Sequence, residues 1–145
     1  TKVVEVSVRR PTETEAEMLS LAANDTVAEI ERLRFSNDEP IVHSVNVFDS
    51  RILPVDIHST DWSTSIVGMF RTHGYDGVSS IADCQAVLVP DPMADRFGLS
   101  KSFAWLRLFG VAFDRHGRPL WWSDDLMRGD IRTFRIINRA DPDDS

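Results

Sequence analysis

A single cysteine, Cys84, stands among 145 residues, which excludes a disulfide framework and any cysteine-based metal site. Basic residues are also scarce, 16 against 23 acidic ones, for a formal net charge of −7. A chain this acidic lacks the basic face needed to neutralise nucleic-acid phosphates. Any anionic ligand must then be small and held by a local cluster of arginines and backbone N–H groups. No apolar run approaches the ~20 residues of a membrane span, and no signal peptide opens the chain. The expectation is a cytoplasmic protein without a membrane partner. His43, His58, His73 and His116 show neither HxH nor HExxH spacing, and no GxSxG, Walker or dinucleotide glycine motif occurs. Neither metal nor cofactor is expected, and hydrolase or nucleotide chemistry has no residues to stand on. Tandem repeats and low-complexity segments are missing too.

The length suits one domain with a real core. Val3–Arg9 alternates apolar and polar residues and reads as a strand stopped by Pro11. Thr12 or Thr14 can cap a helix over Glu13–Leu21. Val27–Phe35 and Pro40–Phe48 read as the two strands of a hairpin, followed by an irregular piece over Asp49–Thr60. Ile66–Thr72 reads as a helix closed by Gly74 and Gly77. A strand over Val78–Val89, a helix over Asp91–Phe97 with Pro92 in its first turn, and strands over Phe103–Asp114, Leu120–Met127 and Phe134–Ile137 complete the pattern. The mixture predicts an α+β fold with an antiparallel sheet, one domain over 1–139 and an acidic, disordered tail over 140–145. The start on Thr1, almost directly in a strand pattern, suggests a missing N-terminal part.

Two places could carry chemistry. Arg32 and Arg34 sit two apart on a strand and so share a face. They are either ordinary outward charge or paired guanidinium forks that hold a carboxylate or phosphate. Ser63-Thr64-Ser65 precedes a helix, where free N–H groups and hydroxyls favour anions; the plainer reading is N-capping by Ser63. The hairpin register matters to both. A two-residue Asn37-Asp38 turn would pair Arg32 with His43, whereas a three-residue loop, Asn37–Glu39, would pair it with Ser44.

Taken in order, IERLRFSNDEPIVHSVNVF, the S-T-S helix start and VAFDRHGRPLWWSDDLMRGDIRTFRI resemble the UTRA domain of GntR-type transcription regulators of the HutC subfamily, over Lys2 to Arg139. The resemblance implies a chorismate-lyase-like fold that binds a small effector and forms a homodimer. It also implies a preceding winged helix-turn-helix domain, through which alone operator DNA would be bound. In relatives that take phosphorylated sugars, the phosphate contacts fall on positions matching Arg32, Arg34, Ser63 and Ser65. The sugar-reading positions differ: Ser44 replaces a glutamate, Met127 a tyrosine, and Trp121-Trp122 an E-Y pair. GYDGVSSIADCQAVLVPDPMADRFGL further resembles regulators of phosphonate metabolism, which points to a phosphate-, phosphonate- or carboxylate-bearing effector. The implied ligand set is Arg32, Arg34, Ser44, Ser63, Thr64, Ser65, Trp122 and Met127, with no catalytic residue. Two alternatives stand beside it: a lyase acting on an aromatic carboxylate, as the fold's namesake does, and a purely structural dimerisation module.

Overall fold

Alternation along Val27–Ser36 sorts its side chains into two kinds. Val27, Glu29, Glu31 and Leu33 point to one face; Ala28, Ile30, Arg32 and Arg34 point to the other. The same two-faced pattern runs through most of the chain and builds one twisted sheet. The computed structural model describes residues 1–140. Its strands are β1 (Lys2–Arg9), β2 (Val27–Ser36), β3 (Glu39–Asp49), β4 (Ser79–Val87), β5 (Trp105–Phe113) and β6 (Pro119–Arg128), and its helices are α1 (Glu13–Met18), α2 (Ile66–Thr72) and α3 (Asp91–Phe97). The strands lie in the order β1-β2-β3-β6-β5-β4, each pair antiparallel. This is the α+β fold that the strand and turn pattern predicts.

Each face of the sheet is covered by different elements. On one face, Leu19 beyond α1 packs on Val27 and Val47 with Trp122 against them, and α3 lays Ala94 over Leu33, Trp105 and Leu126. Helix α1 starts at Thr12, whose hydroxyl accepts from the Glu15 N–H while the Glu15 carboxylate accepts from the Thr12 N–H, satisfying two of the free donors of a helix start. Arg9 clamps this corner by donating to both Glu15 and Glu29. On the opposite face, the 49–65 connection and α2 bury an aromatic cluster. Phe70 sits among Phe48, Tyr75 and Trp121 at centroid separations of 5.6, 5.5 and 4.8 Å, and Trp62 closes on Phe48 at 5.5 Å. Such pairs add about 0.5–1.5 kcal/mol each beyond burial alone.

The hairpin resolves the register question in a way that combines both alternatives. The turn is the two-residue one, with Asn37 and Asp38 at φ 50° and 65°, the left-handed pair that a tight hairpin turn requires. Nevertheless Arg32 pairs with Ser44. Phe35 lies opposite Pro40 and Arg34 opposite Val42, so Ile41 is an extra residue bulged out of β3. The bulge shifts the return strand by one residue and with it the face on which every later side chain appears. Pro40, which has no N–H to give the ladder, sits beside it.

Two expectations need correction. The N-cap of α2 is Ser65, whose Oγ accepts from the Gly68 N–H at 3.1 Å, rather than Ser63. Phe134–Ile137 forms no strand. Strand β6, which precedes it, is flanked on both sides by β3 and β5, so the chain leaving Arg128 finds no free ladder edge beside it; the open edges belong to β1 and β4. Ile136 and Ile137 are left 80% and 72% exposed. The expected tail lies outside the described residues apart from Ala140.

Glycine is required at Gly110, in the middle of β5. A Cβ there would stand 2.6 Å from the Ala82 Cα and run into the Ile81 carbonyl oxygen of the neighbouring strand. Both obstacles are backbone and cannot rotate away. Gly110→Ala should therefore destabilise the domain by about 1–3 kcal/mol, read as a lower urea midpoint with an unchanged slope.

Candidate functional site

The face that carries the aromatic cluster changes character along its strands. Strand β2 goes from Ala28 and Ile30 to Arg32 and Arg34; β3, read backwards, goes from Phe48 to Asn46, Ser44 and Val42; β6 goes from Trp121 to Ser123, Asp125 and Met127. The first residues of each series belong to or border the aromatic core. The later ones floor an open cavity of about 620 Å³, roofed by Ser63–Val67 and Arg71 of the α2 region and walled by Tyr75–Ser80. The floor is kept deep by small residues, Ala82, Gly110 and Ala112.

Arg32 lies at the junction of core and cavity. Its Nη1 donates to the carbonyl oxygens of Thr64 at 2.9 Å and Trp62 at 3.4 Å, and its Nη2 donates to Asn46 Oδ1 at 2.9 Å. The guanidinium thus ties the start of α2 to the sheet. Its Nε is buried with no hydrogen-bond partner among the described residues, a costly omission for a charged group. Burial depresses the Arg32 pKa, Asp125 opposes that, and the like charge of Arg34 adds to it; the group stays ionised.

Arg34 and Arg71 also face the cavity, and among the described residues neither donates a hydrogen bond or forms an ion pair with its guanidinium. With Arg32 and Arg132 they make four lining arginines against two carboxylates, Asp76 and Asp125. A chain of net charge −7 therefore contains a locally positive hollow. At its rim, the Ser63 hydroxyl donates to Asp61 Oδ1 at 2.6 Å. The Ser65 Oγ accepts from Gly68, which leaves its O–H free to donate.

Seven of the eight residues proposed from sequence line this hollow: Arg32, Arg34, Ser44, Ser63, Thr64, Ser65 and Met127. Trp122 does not. It lies on the other face, against Leu19, Val27 and Val47, and Trp121 takes the cavity side. Period-two geometry explains the difference, because Trp122 and Met127 are an odd five residues apart on one uninterrupted strand. The same alternation, counted back from Met127, reaches Asp125 and Ser123, which sequence reasoning passed over. Asn46 is likewise two residues from Ser44. Arg71 and Arg132 carry no comparable signal, since only the folding of α2 and of the chain after β6 brings them here.

Asp125 lies directly opposite Ser44 in the β3–β6 ladder, and Ser44 lies opposite Arg32. Burial pushes the Asp125 carboxyl above the ordinary aspartate range, against the pull of the Ser44 hydroxyl and the Arg32 charge. No cation comes within ion-pair distance of it among the described residues.

The profile of the UTRA domain family matches residues 1–132, and the chain belongs to that family. Solved structures of similar fold include the effector domain of PhnF from Mycobacterium smegmatis, with a TM-score of 0.84 at 19% identity over 95% of this chain and 85% of that one. The longer PhnF structure from the same organism gives 0.86 at 18% identity, covering 97% of this chain but 62% of the other. A GntR-family transcriptional regulator from Enterococcus faecalis V583 gives 0.73 at 22% identity over 94% and 99% of the two chains. No curated protein matches the chain.

The Asp125 carboxyl has a testable effect on stability. Its folded pKa is raised, so ionising it costs more in the folded state than in the unfolded chain. Stability from this group is greatest below the ordinary aspartate pKa and is lost as pH rises through the folded value. Asp125→Asn should raise the melting temperature at neutral pH, and the gain should shrink to nothing toward about pH 4, as followed by thermal unfolding across a pH series.

Proposed function

We propose that this domain senses a small anionic effector within a bacterial GntR-type regulator of the HutC subfamily, and that it acts by binding rather than by catalysis. The observation that carries the reading is the arginine-lined hollow, in which the Arg34 and Arg71 guanidinium groups have no acceptor among the described residues. Arg34 grips the phosphate, phosphonate or carboxylate by a forked contact. Arg32 adds its charge from below while holding the roof in place. The Ser65 hydroxyl, with Ser63 and Thr64 beside it, completes the cradle, and Ser44 and Met127 shape the remainder. Trp122, on the far face, is left out of the site.

In this reading the full-length protein is a cytoplasmic homodimer and meets operator DNA only through a separate winged helix-turn-helix domain. The effector shifts the population of dimer arrangements and so the spacing of the DNA readers. A second copy of the chain is the natural cover for Ile81 and Leu88 along the open β4 edge, which are 75% and 77% exposed, and for Ile136 and Ile137 beyond β6. If so, Ile81→Asp combined with Ile136→Asp should convert a dimer to a monomer in analytical ultracentrifugation.

The site itself is tested by a thermal-shift screen of phosphosugars, phosphonates, urocanate and simple carboxylates. A ligand at 100 times its Kd stabilises the fold by about 2.7 kcal/mol, a shift easily read. With any hit, Arg34→Ala should weaken binding roughly tenfold or more in calorimetry, the cost of a charged hydrogen bond. Unchanged affinity would remove Arg34 from the site. Turnover of chorismate in a product assay would replace the sensing reading with the enzymatic one.

A further inference from the structure

The arginines account for one end of the hollow and leave the other end with a charge of opposite sign. Asp125 stands on the floor two strands from Arg32, with Ser44 between them in the same rung. Two strand spacings put their Cα atoms about 10 Å apart. Much of that distance is spanned by the side chains themselves, so only a short ligand fits between. The Arg32 guanidinium acts on Asp125 only through its charge and forms no ion pair with it, because its outer nitrogens donate to the carbonyls of Trp62 and Thr64 and to Asn46. Ser44 and Ser123 flank Asp125 on the cavity floor, and Leu108 and Met127 add apolar surface beside it.

Resting on the anion-sensing reading above, we propose that Asp125 makes this cavity selective for a zwitterionic effector, with an ammonium group a short methylene linker away from its anionic group. An ammonium has three donors and no acceptor. The Asp125 carboxylate and the Ser44 and Ser123 hydroxyls supply three acceptors on one patch of floor, and Leu108 and Met127 suit the methylenes. The same cation supplies the ion-pair partner that Asp125 does not find among the described residues. Burial raises the carboxyl's pKa in the empty cavity, and an ammonium bound there favours the ionised form. A plain anion gains nothing from Asp125 and is repelled by it. The carboxyl therefore acts against simple phosphate, the most abundant competitor of this charge class, as well as for the zwitterion.

Calorimetry on the purified domain with three matched series decides the matter: ω-aminoalkylphosphonates of two to four carbons, their ω-hydroxy counterparts, and the unsubstituted alkylphosphonates. The expected result is that the best amino member binds at least roughly tenfold tighter than the alkyl and hydroxy members of equal length. Asp125→Asn should abolish that preference while leaving or improving the affinity for the alkyl member, and Arg34→Ala should weaken all three series. If alkyl and amino members bind equally, Asp125 selects nothing and the proposal falls while the anion reading stands. If hydroxy and amino members bind equally and above the alkyl one, a neutral donor is being read and the zwitterion is overturned. If no member of any series binds, a phosphonate-type anion site is itself refuted, and the zwitterion goes with it.

Discussion

Everything in the hollow depends on where the Arg32 guanidinium is spent. A buried arginine must find acceptors, and this one finds them in the carbonyls of Trp62 and Thr64 and in Asn46. That choice fixes the roof to the floor. It places Ser63–Ser65 above β2 and β3, and it holds the first turn of α2 over the cavity. It also changes the meaning of the arginine pair. The two residues look equivalent on the strand, but one is consumed in building the site and the other is left to meet a ligand.

The second constraint is the gradient along one sheet face. Within two residues, β2 passes from Ile30 in the core to Arg32 at the cavity, and β3 passes from Phe48 to Asn46. The aromatic cluster around Phe70 fills the first half of the face so completely that the sheet and α2 are held firmly apart over the second half. Small residues at Ala82, Gly110 and Ala112 keep that half open. The hollow is the part of an inter-layer space that the core does not fill. Its floor is therefore sheet, and its rim is made of α2 and the segments on either side of it.

Much of this was legible in residue pattern alone. Strand and turn patterns marked β1 to β6, and the family resemblance brought the arginine pair and the S-T-S start to one site. The failures have specific causes. Trp122 was paired with Met127 although an odd spacing forbids a shared face, so the information was present and misread. Phe134–Ile137 has the composition of a strand, yet a strand needs an open edge, and the burial of β6 between two neighbours removes it. The register at Asn37-Asp38 escaped because a bulge at Ile41 undoes what the turn length implies; two local features had to be combined to obtain one pairing.

What the sequence determined by itself is the periodic part: which stretches are strands, which side chains of one uninterrupted strand share a face, and that Arg32 and Arg34 lie together on the hairpin. These depend on neighbours two to four residues apart. The tertiary structure alone decided that Arg32 is a tie while the Arg34 fork has no acceptor among the described residues, that Arg71 and Arg132 join them, and that Asp125 faces them with no ion pair among those residues. Each of those facts is set by contacts between residues tens of positions apart. Only the assembled sheet and its roof bring such residues within the few ångströms over which hydrogen bonds and ion pairs act.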